Sequence, residues 1–412
     1  MRLPLPAVVG LTALLLPGLG SANPLVVEPD LVGPRWEGVN FHDNFGWYVR
    51  SPGDLDGDGL SDFLAVGPQD DGPSTFDSVL RVFLGRSTGL PQVPAGDWSD
   101  GSFIDAGTLT DEVYHFAVVP DATGDGRPDV LVSEPNTGTA GGALLYAGDG
   151  DWEGDRTAAD AVARWNGFEQ TDFPALSPTT RPSAVAGGDL DDDGLSDVVI
   201  ASVLYNRVWI DYSSDGFAAA NDLAQAATWF TACEADFPGA GFGSSIAVGD
   251  LNDDGIDDLV VGAPGCAGDA GEVHVFYGGI GGVSAAADLV IGGGDRIGNT
   301  VEIADVDADG VADLMVQELQ TGANENRGGL WIFFGDAGGL PAVPDTRIRA
   351  GFSDRRLGAS MAVLADISNP LDGRPELVVG APEASYSGVG QGAIYVFVGL
   401  AVWPPALEVS AA

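Results

Sequence analysis

Phe242-Gly-Ser-Ser-Ile-Ala-Val248, Asp250-Leu-Asn-Asp-Asp-Gly-Ile-Asp-Asp258, Leu259-Val-Val-Gly-Ala-Pro264 and Gly271-Glu-Val-His-Val-Phe-Tyr277 follow one another in a single stretch. An alternating run leads into an acidic loop, and an apolar β-branched run leads out. A Gly-rich turn then returns the chain through a second alternating run. Period-2 alternation and short apolar runs bounded by Gly and Pro mark strands, so this stretch reads as strand, acidic loop, strand, turn, strand.

The acidic loop recurs along the chain. Asp54-Leu-Asp-Gly-Asp-Gly-Leu-Ser-Asp62, Asp121-Ala-Thr-Gly-Asp-Gly-Arg-Pro-Asp129, Asp189-Leu-Asp-Asp-Asp-Gly-Leu-Ser-Asp197 and Asp305-Val-Asp-Ala-Asp-Gly-Val-Ala-Asp313 share its spacing. A sixth, Asp366-Ile-Ser-Asn-Pro-Leu-Asp-Gly-Arg-Pro-Glu376, has two extra residues. Successive loops start 67, 68, 61, 55 and 61 residues apart, so 412 residues hold about six units and no separate catalytic domain. The linkers leave space for a fourth strand in each unit, such as Thr346-Arg-Ile-Arg349. Four strands in about 60 residues make one propeller blade. The expected fold is all-β, a β-propeller of four-stranded blades, six in number, with seven as the alternative. A solenoid, the rival architecture, would need capping repeats at both ends, and both termini are short.

The loops have the composition of metal sites. Positions 1, 3, 5 and 9 carry oxygen ligands and position 6 is Gly in all five intact loops. The side-chain candidates are Asp54, Asp56, Asp58, Asp62; Asp121, Thr123, Asp125, Asp129; Asp189, Asp191, Asp193, Asp197; Asp250, Asn252, Asp254, Asp258; and Asp305, Asp307, Asp309, Asp313. Position 7 would offer its carbonyl, from Leu60, Arg127, Leu195, Ile256 or Val311. An all-oxygen, carboxylate-rich cage suits a hard cation, and its size and flexibility suit Ca2+ over magnesium. Two carboxylates ~4 Å apart repel by about 1 kcal/mol in water and by roughly 4 kcal/mol at an effective dielectric near 20. Eighteen aspartates in five such clusters therefore point to about five calcium ions. The sixth loop, at Asp366, binds only if Asn369-Pro370 bulges out. An EF-hand is excluded, because position 12 is Ala65, Val132, Ile200, Val261 or Val316 where that motif needs a bidentate Glu. Solvated acidic turns are the bland alternative, since Asp and Gly favour turns in any case.

The order Phe-Gly, acidic loop, Leu-Val-Val-Gly-Ala-Pro, Gly-x-Val-x-Val-Phe resembles the FG-GAP repeat. That repeat builds the seven-bladed propeller of integrin alpha chains and many secreted bacterial propellers. The match is fullest at Phe242-Gly243, Asp250 to Asp258 and Gly262-Ala263-Pro264, followed by Leu357-Gly358 with Gly380-Ala381-Pro382. Phe45-Gly46 opens the first repeat. The third departs most, with Arg181-Pro182 for Phe-Gly and Ala201-Ser202 for the Gly-Ala-Pro turn. The resemblance covers about residues 45–399 and implies calcium in the loop joining the first two strands of each blade.

The composition agrees with an exported domain. Asp and Glu total 61 against 17 basic residues, all Arg, for a net charge of −44. That charge excludes electrostatic binding to nucleic acid or an anionic membrane surface. A hydrophobic fraction of 45% is too high for a disordered acidic chain. Met1 to Ala22 reads as a cleaved signal peptide, with Arg2, an apolar stretch and Gly20-Ser21-Ala22. Residues 23–412 then form a single propeller domain, and no second run of 18 apolar residues predicts membrane insertion. The expected destination is secreted or cell-surface, with the periplasm another. Cys233 and Cys266, the only cysteines, are expected to pair as a disulfide in an oxidising compartment.

No catalytic constellation is legible. His42, His115 and His274 are the only histidines, and no nucleophile elbow, His-Glu-x-x-His or phosphate loop is present. His115 and His274 fall in expected strands. The reading is a monomeric, non-enzymatic, calcium-binding module for an extracellular protein or polysaccharide. The alternative is a propeller hydrolase or lyase acting on polysaccharide or phosphoester substrates, because fold alone does not decide function.

Overall fold

The computed structural model describes residues 48–53, 62–70, 76–83, 102–105, 115–134, 142–148, 155–157, 160–166, 183–213, 217–223, 228–234, 239–319, 327–350, 356–364, 374–381, 393–397, 399–400 and 402–409. Among these residues the strands fall into six sheets that follow one another along the chain.

The first sheet holds β1 (Tyr48–Gly53), β2 (Asp62–Asp70), β3 (Phe76–Phe83) and β4 (Ser102–Asp105). The second holds β5 (Phe116–Val119), β6 (Asp129–Glu134), β7 (Gly142–Tyr146) and, after a short β8 (Asp155–Thr157), β9 (Ala163–Asn166). The third holds β10 (Ala184–Gly188), β11 (Asp197–Ser202), β12 (Arg207–Asp211) and, after β13 (Asn221–Asp222), β14 (Thr228–Phe230). The fourth holds β15 (Ser245–Gly249), β16 (Asp258–Ala263), β17 (Glu272–Phe276) and β18 (Leu289–Gly292). The fifth holds β19 (Ile297–Ala304), β20 (Asp313–Glu318), β21 (Gly329–Phe333) and β22 (Thr346–Ala350). The sixth holds β23 (Ser360–Leu364), β24 (Glu376–Ala381) and β25 (Ala393–Phe397), and β26 (Ala406–Val409) follows it. Each is an antiparallel meander in chain order. The first strands touch in series, β5 to β10 to β15 to β19 to β23, as the innermost strands of propeller blades do.

In the third and fourth sheets the second strand carries a continuous apolar run after its opening Asp because both of its faces are covered. In β11, Val199 and Ala201 point into a core shared with the fourth sheet, while Val198 and Ile200 point into one shared with the second. In β16, Leu259, Val261 and Ala263 face the third sheet and Val260 faces the fifth. A further core lies between the fifth and sixth sheets around Ile348, Leu357, Leu377 and Trp403. Period 2 thus sends alternate side chains of one strand into two different interfaces. A fully buried Val or Leu is worth roughly 1.5–3 kcal/mol, so these interfaces hold the sheets together.

The Phe-Gly and Gly-Ala-Pro positions meet in space. The Gly243 amide donates to the Gly262 carbonyl at 3.0 Å, and the Gly358 amide to the Gly380 carbonyl at 3.0 Å. Gly243 has φ +86° and Gly358 φ +88°, and a Cβ on Gly243 would stand 2.9 Å from that of Ala201. Phe242 and Leu357, the residues before them, are buried in the intersheet cores.

The outer edges carry parallel additions. By sequence, Leu25 to Val27 and Ala406–Ser410 are both candidate outer strands, the N-terminal one being expected to complete the blade of residues 357–399; β26 pairs in parallel with β22 of the fifth sheet. β8 likewise pairs in parallel with β4, and β13 with β9. In each case a segment following the third strand of one sheet crosses back to the outer edge of the preceding one. These additions cover edge strands that would otherwise present unpaired backbone groups. Leu25 to Val27, the other candidate for closing the ring, lies outside the described residues.

Candidate metal centres in the acidic loops

Each loop joins the first strand of a sheet to the second, and the aspartates at positions 1, 5 and 9 have distinct tasks. Position 1 gathers the loop's own amides. Asp121 accepts from the amides of Gly124, Asp125 and Gly126 at 2.7, 3.0 and 2.8 Å. Asp189 accepts from Asp193 and Gly194, Asp250 from Asp254 and Gly255, and Asp305 from Ala308 and Gly310. Position 5 accepts the amide two residues on: Arg127 to Asp125, Leu195 to Asp193, Ile256 to Asp254 and Val311 to Asp309.

Position 9 opens the second strand and is fully buried in Asp129, Asp197, Asp258 and Asp313. One carboxylate oxygen accepts the amide of position 2, from Ala122, Leu190, Leu251 or Val306. The other accepts an amide just beyond the third strand, from Gly148, Ser213, Gly278 or Gly335. This aspartate therefore pins the loop to the third strand of its own sheet. Burial pushes the Asp197, Asp258 and Asp313 carboxyls up to about 7, against the opposing pull of those amides; neighbouring aspartates add to the rise. Asp129 is raised for the same main reason.

Position 3 divides the loops. In the third and fifth, Asp191 and Asp307 stand there, and Asp189, Asp191, Asp197 and Asp305, Asp307, Asp313 each bring one carboxylate oxygen within 4.8 Å of the others. Burial, then the neighbouring loop aspartates, raise both position-3 carboxyls. Asp191 Oδ1 is buried with no hydrogen-bond partner. An inward carboxylate oxygen without a donor, crowded by two more carboxylates, is what a hard cation would satisfy, so these residues fit a metal. Asp193 and Asp309, expected as ligands, stand outside the two trios. In the second loop the Thr123 hydroxyl donates to Asp129 Oδ1 at 3.2 Å, and in the fourth Asn252 Oδ1 accepts the Asp254 amide at 3.0 Å. Asp54, Asp56, Asp58 and Leu60 lie outside the described residues, as does the sixth loop from Asp366 to Gly373; Asp62 begins β2.

Position 8 was invisible to a search for ligands. The Ser196 amide donates to the Asp121 carbonyl at 2.8 Å, and the Asp121 amide to Ser196 Oγ at 3.1 Å. The Asp257 amide donates to the Asp189 carbonyl at 2.8 Å, and the Asp189 amide to Asp257 Oδ2 at 3.0 Å. The third and fourth loops are thus each hydrogen-bonded to the first residue of the loop before it. The polar residues Ser61, Ser196 and Asp257 at this position were the available signal.

Cys233 and Cys266 form the expected disulfide, with Cα atoms 5.6 Å apart. His274 lies in β17 as expected, whereas His115 sits one residue before β5, its amide bonded to Ser133 Oγ at 3.1 Å. His42 lies outside the described residues. No helix among the described residues is long and apolar enough to cross a membrane.

The FG-GAP repeat family model matches residues 242–276 and 371–397. Human phosphatidylinositol-glycan-specific phospholipase D is 31% identical over 178 residues, 39% of this chain and 21% of that protein. Integrin alpha-5 of Xenopus laevis is 29% identical over 154 residues, 34% of this chain and 14% of that protein. The chain thus spans about a fifth or less of these relatives. The structure of periplasmic gluconolactonase PpgL from Pseudomonas aeruginosa aligns with a TM-score of 0.41 and 18% identity, over 82% of this chain and 83% of that one. The sheets, the paired Phe-Gly and Gly-Ala-Pro glycines and the family match agree: the chain carries FG-GAP repeats on an all-β propeller.

Proposed function

We propose that this chain is an exported, calcium-stabilised propeller that presents a binding face to an extracellular protein or polysaccharide, without catalysis. The observation that carries the calcium reading is Asp191 Oδ1, buried without a donor beside Asp189 and Asp197. Asp189, Asp191, Asp197 and Asp305, Asp307, Asp313 would hold the ion in their loops, with Asp121, Asp125, Asp129 and Asp250, Asp254, Asp258 as the related sets. A bound cation supplies charge neutralisation there. The residues themselves close the loop, through positions 1 and 5, and tie it to the third strand, through position 9. Binding to the folded state alone stabilises it by ~2.7 kcal/mol per site when calcium exceeds Kd a hundredfold.

Calorimetry with and without chelator, alongside metal counting, tests this reading. Chelation is expected to lower the Tm, calcium to restore it better than magnesium, and Asp254→Ala to remove about one ion. An unchanged Tm and no bound calcium would reduce the loops to acidic turns. A glycan and surface-protein array, with and without calcium, tests the binding role. The similarity to a phospholipase supports a second reading, a hydrolase or lyase on phosphoester or polysaccharide substrates. Turnover of such substrates by the purified chain would favour it.

A further inference from the structure

The disulfide has two polar neighbours that the calcium reading does not use. Glu272 and His274 are two apart on β17 and so leave the same face of the strand. Cys233 Sγ lies 3.3 Å from Glu272 Oε2 and 4.0 Å from His274 Nε2, and those two atoms are 3.1 Å apart. One ligand atom from each of Cys233, Cys266, Glu272 and His274 lies within 4.8 Å of the other three. Cys266 and His274 are buried, and Cys233 and Glu272 are half-buried.

We propose that reduction of the Cys233–Cys266 disulfide opens a site for one zinc ion, held by the two sulfurs, His274 Nε2 and Glu272 Oε2. A tetrahedral zinc with bonds of ~2.3 Å to sulfur and ~2.0–2.2 Å to nitrogen and oxygen sets its ligands roughly 3.3–3.8 Å apart. Three of the six ligand–ligand edges already stand near those lengths, at 3.1, 3.3 and 4.0 Å. The edge that must open is the one between the sulfurs, which the covalent bond holds closed. The disulfide therefore acts as the guard of the site. Two thiolates, one imidazole and one carboxylate fill all four positions of a tetrahedral zinc and leave none for water.

The surrounding backbone is held by other bonds. Asn206 Nδ2 donates to Thr231 Oγ1 and to the Ala232 carbonyl, and Asn206 Oδ1 accepts the Phe242 amide. The Gly265 amide donates to the Ala240 carbonyl and the Gly271 amide to the Cys266 carbonyl. Phe242 stands edge-on to the His274 ring at 5.4 Å between centroids, which fixes the imidazole's orientation. Burial lowers the His274 pKa against the opposing pull of Glu272, and the neutral ring is the form a metal takes.

The chemistry balances with a dithiol as reductant. Its two electrons break the S–S bond, it closes to its own disulfide, and its two protons pass to Cys233 and Cys266. Zinc then displaces those two protons to solvent.

Cobalt(II) is the probe, because sulfur ligation gives it a charge-transfer absorption that oxygen sites lack. A water-soluble phosphine replaces the dithiol, which would itself bind the metal; the phosphine takes an oxygen from water as it is oxidised. With excess calcium present, the full chain is expected to bind one sulfur-ligated cobalt after reduction and none before, and zinc should displace it. His274→Ala should weaken that binding at least about tenfold while still forming the disulfide when oxidised. Absence of the absorption in reduced protein, or equal affinity in His274→Ala, would overturn the proposal. If reduction alone unfolds the chain, cobalt added with the phosphine is expected to keep the near-ultraviolet circular dichroism of the fold. Unfolding in spite of the metal would equally overturn it.

Discussion

Aspartates that look alike in the acidic loops do different physical work. Asp258 accepts two amides from inside the protein, at 2.9 Å each from Leu251 and Gly278. Removing it leaves both donors without their acceptor, at about 1–3 kcal/mol apiece. Asp258→Ala is therefore expected to lower the Tm in chelator as well as in calcium. Asp191 faces two other carboxylates and leaves Oδ1 without a donor. Asp191→Asn should leave the Tm in chelator unchanged or higher, because it relieves repulsion, and should shrink the increment that calcium adds. Thermal melts of both variants in each condition separate the two roles. Equal loss of the calcium increment in both would mean that position 9 is a metal ligand first. The spacing made all of these residues visible; only their hydrogen bonds ranked them.

At the scale of elements, the connection between third and fourth strands reaches the preceding sheet. Tyr212, just after β12, accepts the Val283 amide on its hydroxyl at 3.1 Å, and Tyr277, just after β17, accepts the Leu340 amide at 2.8 Å. Gly282 and Gly339 precede those amides at φ +93° and +83°, and a Cβ on either would stand 2.3 Å from the tyrosine oxygen. Tyr212→Phe should cost about 1 kcal/mol by leaving the Val283 donor unmet. Burial, opposed by the amide hydrogen bond, raises both phenols above their ordinary value of 10. The folded state then holds these protons more tightly than the unfolded chain does. Their contribution is complete below pH 10 and is lost as the pH rises through the raised pKa. Denaturant melts between pH 8 and 11 should show a decline that is smaller in the Tyr212→Phe, Tyr277→Phe double variant. An unchanged decline would show that other groups set the alkaline limit.

For the whole molecule, the C-terminal segment joins the fifth and sixth sheets. Trp403 is buried in their shared core, and the Arg347 amide donates to the Pro405 carbonyl at 3.2 Å beside the β22–β26 ladder. Truncation after Val402 should cost at least the roughly 3–5 kcal/mol of a buried Trp and speed hydrogen exchange at Arg347. Stability within about 1 kcal/mol of the full chain would show that β26 merely rests on the edge. Reducing the disulfide, whose cysteines are 33 residues apart, should cost about 3–4 kcal/mol by the loop-entropy account.

The sequence by itself determined the repeat, the strand order within each unit, the acidic loops and the cysteine pair. Those properties are local: period-2 alternation, a six-residue Asp-to-Gly turn and a short list of cysteines carry them whatever the rest of the chain does. The two halves of the Phe-Gly and Gly-Ala-Pro signature were likewise legible as residues, but not as the Gly243–Gly262 hydrogen bond they form. Tertiary structure alone decided everything that passes between repeats. It placed Ser196 and Asp257 against the preceding loops, seated Tyr212 and Tyr277 under the next unit's turns, and sent β26 to the fifth sheet instead of the sixth. It also brought Glu272 and His274 against the disulfide. Contacts of this kind join residues about 40 to 75 positions apart, and no periodicity within one repeat encodes which neighbour a side chain will meet. The physical reason is that a blade buries its strands only against other blades, so the geometry between them exists only once they have packed.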